Sequence, residues 1–150
     1  MDAYEWVFVL CAVAFNLLIA GIFVAQKHGL QKLTRTLGIT WLSLGIPLAV
    51  VFAYYWIVGR EMWIVIYSVL ILVYMGVELL LDYVFKVDFR SKKITHIPYI
   101  VLEYIALFGL IGVSFDIDRT WGFIVSVAFW ILLGCLVYLY WGKKRSLDRA

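Results

Sequence analysis

Apolar residues in this chain fall into long, nearly unbroken blocks separated by short polar joints. A helix needs roughly 20 mostly apolar residues to cross the hydrocarbon of a bilayer, and five blocks reach or approach that length. They run from about Tyr4 to Ala25, Leu37 to Val58, Met62 to Phe85, Ile97 to Phe115 and Thr120 to Trp141. The blocks are too long and too continuous for membrane-barrel strands, in which lipid-facing and lumen-facing residues alternate. The pattern predicts an all-α integral membrane fold, a single domain built as a compact bundle of five transmembrane helices. Tight joints at Gly59-Arg60-Glu61 and from Asp116 to Arg119 make the helices they connect antiparallel neighbours. Pro98 suits the first turn of the fourth helix. Pro47, inside the second, has no N–H for the Ser43 carbonyl and clashes with it, which predicts a kink.

Composition agrees. The chain has 150 residues, of which 65% are hydrophobic and only 15% charged; a soluble domain is about half apolar and about a quarter charged. A chain this short cannot hide such an excess in a core. Cys11 and Cys135 stand alone inside apolar blocks, with no metal or disulfide spacing, and read as small core residues. The acidic start, Asp2 and Glu5, does not look like a cleavable leader.

Charge predicts the orientation. Lys27, Lys32 and Arg35 follow the first block, Lys86, Arg90, Lys92 and Lys93 follow the third, and Lys143, Lys144, Arg145 and Arg149 follow the fifth. These are eleven of the 13 Lys and Arg. The alternate joints hold Arg60 and Arg119 beside Asp2, Glu5, Glu61, Asp116 and Asp118. The positive-inside rule then places the N-terminus outside and the C-terminus in the cytoplasm of a cell membrane. Trp6, Trp56, Trp63 and Trp121 fall at the expected outer interface, and Trp41 and Trp141 at the inner one. Trp130, mid-helix, is expected against another helix or lipid tails.

Candidate chemistry lies where polarity is costly. A charged side chain at the bilayer centre costs about 2.5–3.5 kcal/mol on insertion scales, so such residues face protein or water. The third block carries Glu78 and Asp82, four residues apart and so on one helical face with Tyr67 and Tyr74. The fourth carries His96, Tyr99 and Glu103. At about 1.5 Å per residue, Glu78 lies roughly 12 Å and Glu103 roughly 10 Å from the cytoplasmic boundary. If the two helices are neighbours, Glu78 and Glu103 meet at one level, with Asp82 and His96 nearer the mouth. Carboxylates that close repel, so at least one is expected to hold a proton or a cation. The competing reading is a hydrogen-bonded lock between two helices. Asn16, flanked by Ala12 and Ala20, describes a helix–helix seam. The basic residues Arg90, Lys92 and Lys93 suit anionic headgroups or a substrate phosphate.

Three functions of different kinds remain. The first is binding or translocation of an ion or proton through a cytoplasm-facing acidic pocket formed by Glu78, Asp82, Glu103 and His96. The second is a non-catalytic partner subunit or assembly factor. The third, an embedded lipid-phosphate enzyme with a divalent metal, ranks last because it calls for more acidic ligands than can be placed at the pocket. No nucleotide-binding, zinc-protease or hydrolase motif occurs, and nothing calls for a cofactor. The expected partners are the bilayer and a second copy of the chain or another membrane protein, with no nucleic acid. Five helices enclose little interior, so a transporting form is expected to be a homo-oligomer.

Overall fold

The computed structural model describes the backbone of residues 1–85 and 93–147, with side chains from 1 to 85 and from 97 to 141. The first helix, α1 (Ala3–Lys27), opens with a reciprocal cap. The Asp2 carboxylate accepts from the Glu5 N–H at 2.8 Å, and the Glu5 carboxylate accepts from the Asp2 N–H at 2.9 Å. It closes at Gly29, whose φ of 69° lies in the left-handed region open to glycine. The Leu30 N–H then reaches back to the Ala25 carbonyl at 3.0 Å, and the Gly29 N–H to Gln26 at 3.1 Å, which satisfies two end carbonyls.

The second spanning length is two helices, α2 (Gln31–Ser43) and α3 (Gly45–Val58), interrupted at Leu44. Pro47 explains the interruption, because it cannot donate to the Ser43 carbonyl. The Leu44 N–H instead bonds Trp41 at 3.1 Å, a tighter turn, and the Ser43 hydroxyl donates to Thr40 at 2.6 Å. α2 begins at Gln31, ahead of the apolar block that opens at Leu37. In its polar first turns Thr34 and Thr36 donate back to the carbonyls of Leu30 and Lys32 at 3.1 and 3.0 Å. A hydrophobic block marks the buried length of a helix, not its ends. α3 stops at Gly59, with φ 72° and the same pair of closing bonds, from Gly59 to Trp56 and from Arg60 to Tyr55.

α4 (Met62–Glu78) runs into a π-helical turn, Leu79–Val84, in which the Phe85 N–H bonds the Leu80 carbonyl five residues back at 2.8 Å. α5 (Lys93–Ile117) carries Pro98 near its start. α6 (Arg119–Leu147) is capped by Asp118, which accepts from the N–H groups of Thr120 and Trp121 at 2.8 and 3.2 Å. No strand occurs among the described residues. Five lengths are long and apolar enough to cross a membrane: Ala3–Lys27, Gln31–Val58, Met62–Val84, Ile97–Ile117 and Arg119–Trp141. The chain is therefore built as a multi-pass membrane protein.

α1 is the central post. It contacts α2, α3, α5 and α6, and 44% of its apolar window is buried, against 28–33% for the other four lengths. Phe8, Val9, Ala12, Phe15 and Asn16 are fully buried along it. Small Ala12 and Ala20 let neighbours approach Asn16, whose Nδ2 donates to the Ala12 carbonyl at 2.9 Å. The outward faces are apolar instead of charged: Ile46, Ile57 and Trp130 are 72%, 80% and 69% exposed. A protein dissolved in water seldom shows so much contiguous apolar surface.

The two ends are tied by different chemistry. At the N-terminal end Arg60 bonds Glu5 and stands 3.7 Å from the Asp116 carboxylate, joining α1, the α3–α4 joint and α5. Tyr4 stacks on Tyr54 at 3.9 Å, and the Tyr54 hydroxyl donates to Asp2 at 3.3 Å. At the opposite end the Lys27 ammonium donates to the Tyr138 carbonyl and lies 3.5 Å over the Tyr138 ring, joining α1 to α6.

Candidate functional site

The site is assembled from two matching pairs. Tyr74 and Glu78 are four residues apart on α4, and Tyr99 and Glu103 are four apart on α5, so each pair shares one helical face. α4 and α5 are successive spans and run antiparallel, which crosses the pairs. Tyr99 donates its hydroxyl proton to Glu78 Oε2 across the interface. The Tyr74 and Tyr99 hydroxyls stand 3.3 Å apart. Since Tyr99 has one proton and gives it to Glu78, Tyr74 is the donor to Tyr99, and the chain of hydroxyls points at the Glu78 carboxylate. Glu103 lies one helical turn beyond Tyr99 on α5, as Glu78 lies one turn beyond Tyr74 on α4.

Aromatic packing holds this arrangement. The Tyr74 ring lies 5.7 Å from Tyr99, 5.6 Å from Trp41 and 6.3 Å from Phe15, and Phe15 lies 5.0 Å from Trp41. One residue from each of α1, α2, α4 and α5 thus meets at a point. Tyr74 is 2% and Trp41 3% exposed. Tyr67, higher on α4, serves a different purpose: its ring packs on Trp63 at 6.2 Å and against the bare backbone of Gly109 on α5.

Glu78 and Glu103 both line a cavity of about 230 Å³ among α1, α2, α4, α5 and α6. Its wall also includes Gln26, Trp41, Tyr74, Tyr99, Tyr104 and Tyr140, and the remainder is aliphatic or Phe23. Its lining residues come from the C-terminal parts of α1, α4 and α6, the N-terminal part of α5 and, through Trp41, α2, so it lies toward the end of the bundle opposite the N-terminus.

No known family, curated protein or solved structure matches the chain.

Asp82 is placed elsewhere. It lines a second, more open hollow of about 630 Å³ with Gln26, Gly29, Gln31, Thr34, Arg35 and Tyr83. The π-helical turn after Glu78 explains the separation: a five-residue bond takes up one more residue per turn than the α-helix, so positions four apart no longer stack. Arg90 and Lys92 lie outside the described residues, and of Lys93 and His96 only the helical backbone is described. Among the described residues no group of three or more His, Cys, Asp or Glu side chains stands close enough to hold a metal ion.

Trp41, Gln26, Tyr104 and Tyr140 join the site without having been singled out from sequence. Trp41 was expected in an interfacial belt and is instead buried in the core. Its depth along the helix was readable; the face it occupies was not. The paired spacing Tyr74-Met-Gly-Val-Glu78 and Tyr99-Ile-Val-Leu-Glu103 is the signal in the sequence that marks the centre of the site.

Proposed function

We propose that this protein binds a proton or a small cation at Glu78 and Glu103 and carries it across the bilayer. One observation supports the reading above the rest: carboxylates from two successive spanning helices line one cavity, and a tyrosine hydroxyl chain is directed at one of them. Two acidic groups inside an apolar bundle are costly unless they share a proton, a cation or donors. The bias of Lys and Arg toward alternate joints puts the N-terminus outside and opens the cavity toward the cytoplasm. Five spans enclose little interior, and the proposed transporting form is a homo-oligomer.

Reconstitution tests the reading. Purified protein in vesicles holding a pH-sensitive dye, or loaded for counterflow of a monovalent cation, should give flux above empty vesicles. Glu78→Gln and Glu103→Gln should each remove most of it while keeping the helical circular dichroism of the parent. Normal flux in both variants would reject the site. Loss of thermal stability with no flux in any form would mark the carboxylates as a structural lock of a partner subunit.

A further inference from the structure

We propose that the occupant of the cavity is a small organic ammonium ion bearing an oxygen acceptor, held by Glu78 and Glu103. This rests on the cation-binding reading above and names its ligand. The wall is the first argument. A bare divalent ion takes six or more oxygen ligands in a close shell, and an alkali ion gives up its water only to a cage of oxygens. Here the wall oxygens, two carboxylates, the Gln26 amide and four tyrosine hydroxyls, are spread over α1, α4, α5 and α6, no three acidic, His or Cys side chains stand together among the described residues, and the Tyr99 hydroxyl is already donated to Glu78. The rest of the wall is aromatic and aliphatic, with Trp41, Tyr74, Tyr99 and Tyr104 among its members. Ring faces attract an ammonium group and offer an apolar body a dry surface, which they do not do for a hydrated metal.

Trp41 is an independent argument. It lines the cavity, is 3% exposed, and its indole N–H has no hydrogen-bond partner among the described residues. Indole N–H is a donor only, and a buried donor calls for an acceptor. A bare cation can supply one only through a bound water. A hydroxyl or ether oxygen on an organic cation can, while the ammonium end faces the carboxylates. Size sets the third limit. The cavity of about 230 Å³ falls below the roughly 300–1,000 Å³ of drug-sized sites. At about 30 Å³ per water it equals about seven or eight waters, which suits a cation of similarly few non-hydrogen atoms.

Choline is a probe of that size with a quaternary nitrogen and one hydroxyl. Its neutral isostere is 3,3-dimethyl-1-butanol, and propyltrimethylammonium keeps the charge and lacks the hydroxyl. Calorimetric titration of the protein in maltoside micelles should show choline binding at least tenfold tighter than the neutral isostere. The Glu78→Gln, Glu103→Gln double variant should lose choline binding. Trp41→Phe should weaken choline several-fold and leave propyltrimethylammonium unchanged, a split that general loosening of the fold would not produce. If a variant does not fold, competition in the unmodified protein decides: choline should displace propyltrimethylammonium, and sodium and potassium should not. Equal binding of the neutral isostere, or sodium or potassium binding that excludes choline, overturns the ligand class. Carboxylate-dependent proton or alkali flux with no binding of choline or propyltrimethylammonium overturns the ligand class and keeps the site. Absence of both flux and probe binding overturns both.

Discussion

Replacing Tyr99 by phenylalanine removes one oxygen and keeps the ring that packs on Tyr74. The oxygen donates to Glu78 and stands 3.3 Å from the Tyr74 hydroxyl. Hydroxyl–hydroxyl bonds are strongest at about 2.5–3.0 Å, so the bond to Glu78 carries most of the energy. A hydrogen bond to a charged group is worth about 1.5–3 kcal/mol in water-soluble proteins. Polar pairs between spanning helices average nearer 0.6 kcal/mol and reach about 1.7, since a helix left in the membrane finds other partners. With Tyr99 at 8% exposure, the upper part of the membrane range applies, and Tyr99→Phe should destabilise by about 1.5 kcal/mol. That is about a tenfold shift in the folding equilibrium. Reversible unfolding in mixed micelles, driven by increasing mole fraction of dodecyl sulfate, measures it. In a Glu78→Gln background the same substitution should cost under about 0.5 kcal/mol, because only a neutral bond is then lost. Tyr74→Phe should cost less than half as much as Tyr99→Phe. An effect of Tyr99→Phe within about 0.3 kcal/mol of zero, or an equal cost in both backgrounds, refutes the coupling of α4 to α5 through Glu78.

The remaining predictions concern the frame around the site. In Gly109→Ala the new Cβ would stand 2.8 Å from Tyr67 Cδ1 and 3.2 Å from Tyr67 Cβ. No rotamer of Tyr67 moves its own Cβ, so the variant should lose about 1–3 kcal/mol by thermal unfolding, whereas Gly76→Ala, with nothing within 4 Å, should be neutral or stabilising. Arg60→Met should cost about 1.5–3 kcal/mol, since it strips a charged partner from Glu5, whose side chain is only 13% exposed, and raised salt should weaken mainly the share owed to the more exposed Asp116. On a Cys11→Ala, Cys135→Ala background, an impermeant thiol reagent should label Asp118→Cys only from outside intact cells and Gln31→Cys only after the cytoplasmic face is opened; the reverse pattern would invert the orientation.

The spanning lengths were legible because each is a run of apolar residues bounded by charges, and the cost of charge in hydrocarbon leaves few other readings. The break near Pro47 was legible because a missing N–H has one local consequence. Which helix sits in the middle was not. In a chain whose lipid face is as apolar as its core, patterning no longer separates inside from outside, and the central place of α1 rests on contacts with α5 and α6 far along the chain. Within the site, Glu78 and Tyr74 were readable as one face of the third block, and Tyr99 and Glu103 as polar residues inside the fourth at a depth set by helix rise. Asp82 was assigned to the same stripe by assuming an unbroken α-helix, and the π-helical turn at Leu79–Val84 carries it to another hollow. Trp41 was missed because an amphipathic ring near a helix end suits an interface and a core equally well.

The central claim is that Glu78 and Glu103 form one titrating, cation-binding unit. Infrared difference spectroscopy of the protein in lipid, recorded across a pH step and again on adding choline, observes the carboxyl groups directly. The account predicts a protonated-carboxyl band in the resting protein that disappears when choline binds, and that is missing or shifted in both Glu78→Gln and Glu103→Gln. A band that survives unchanged in both variants, or a spectrum that responds only in Asp82→Asn, would contradict it.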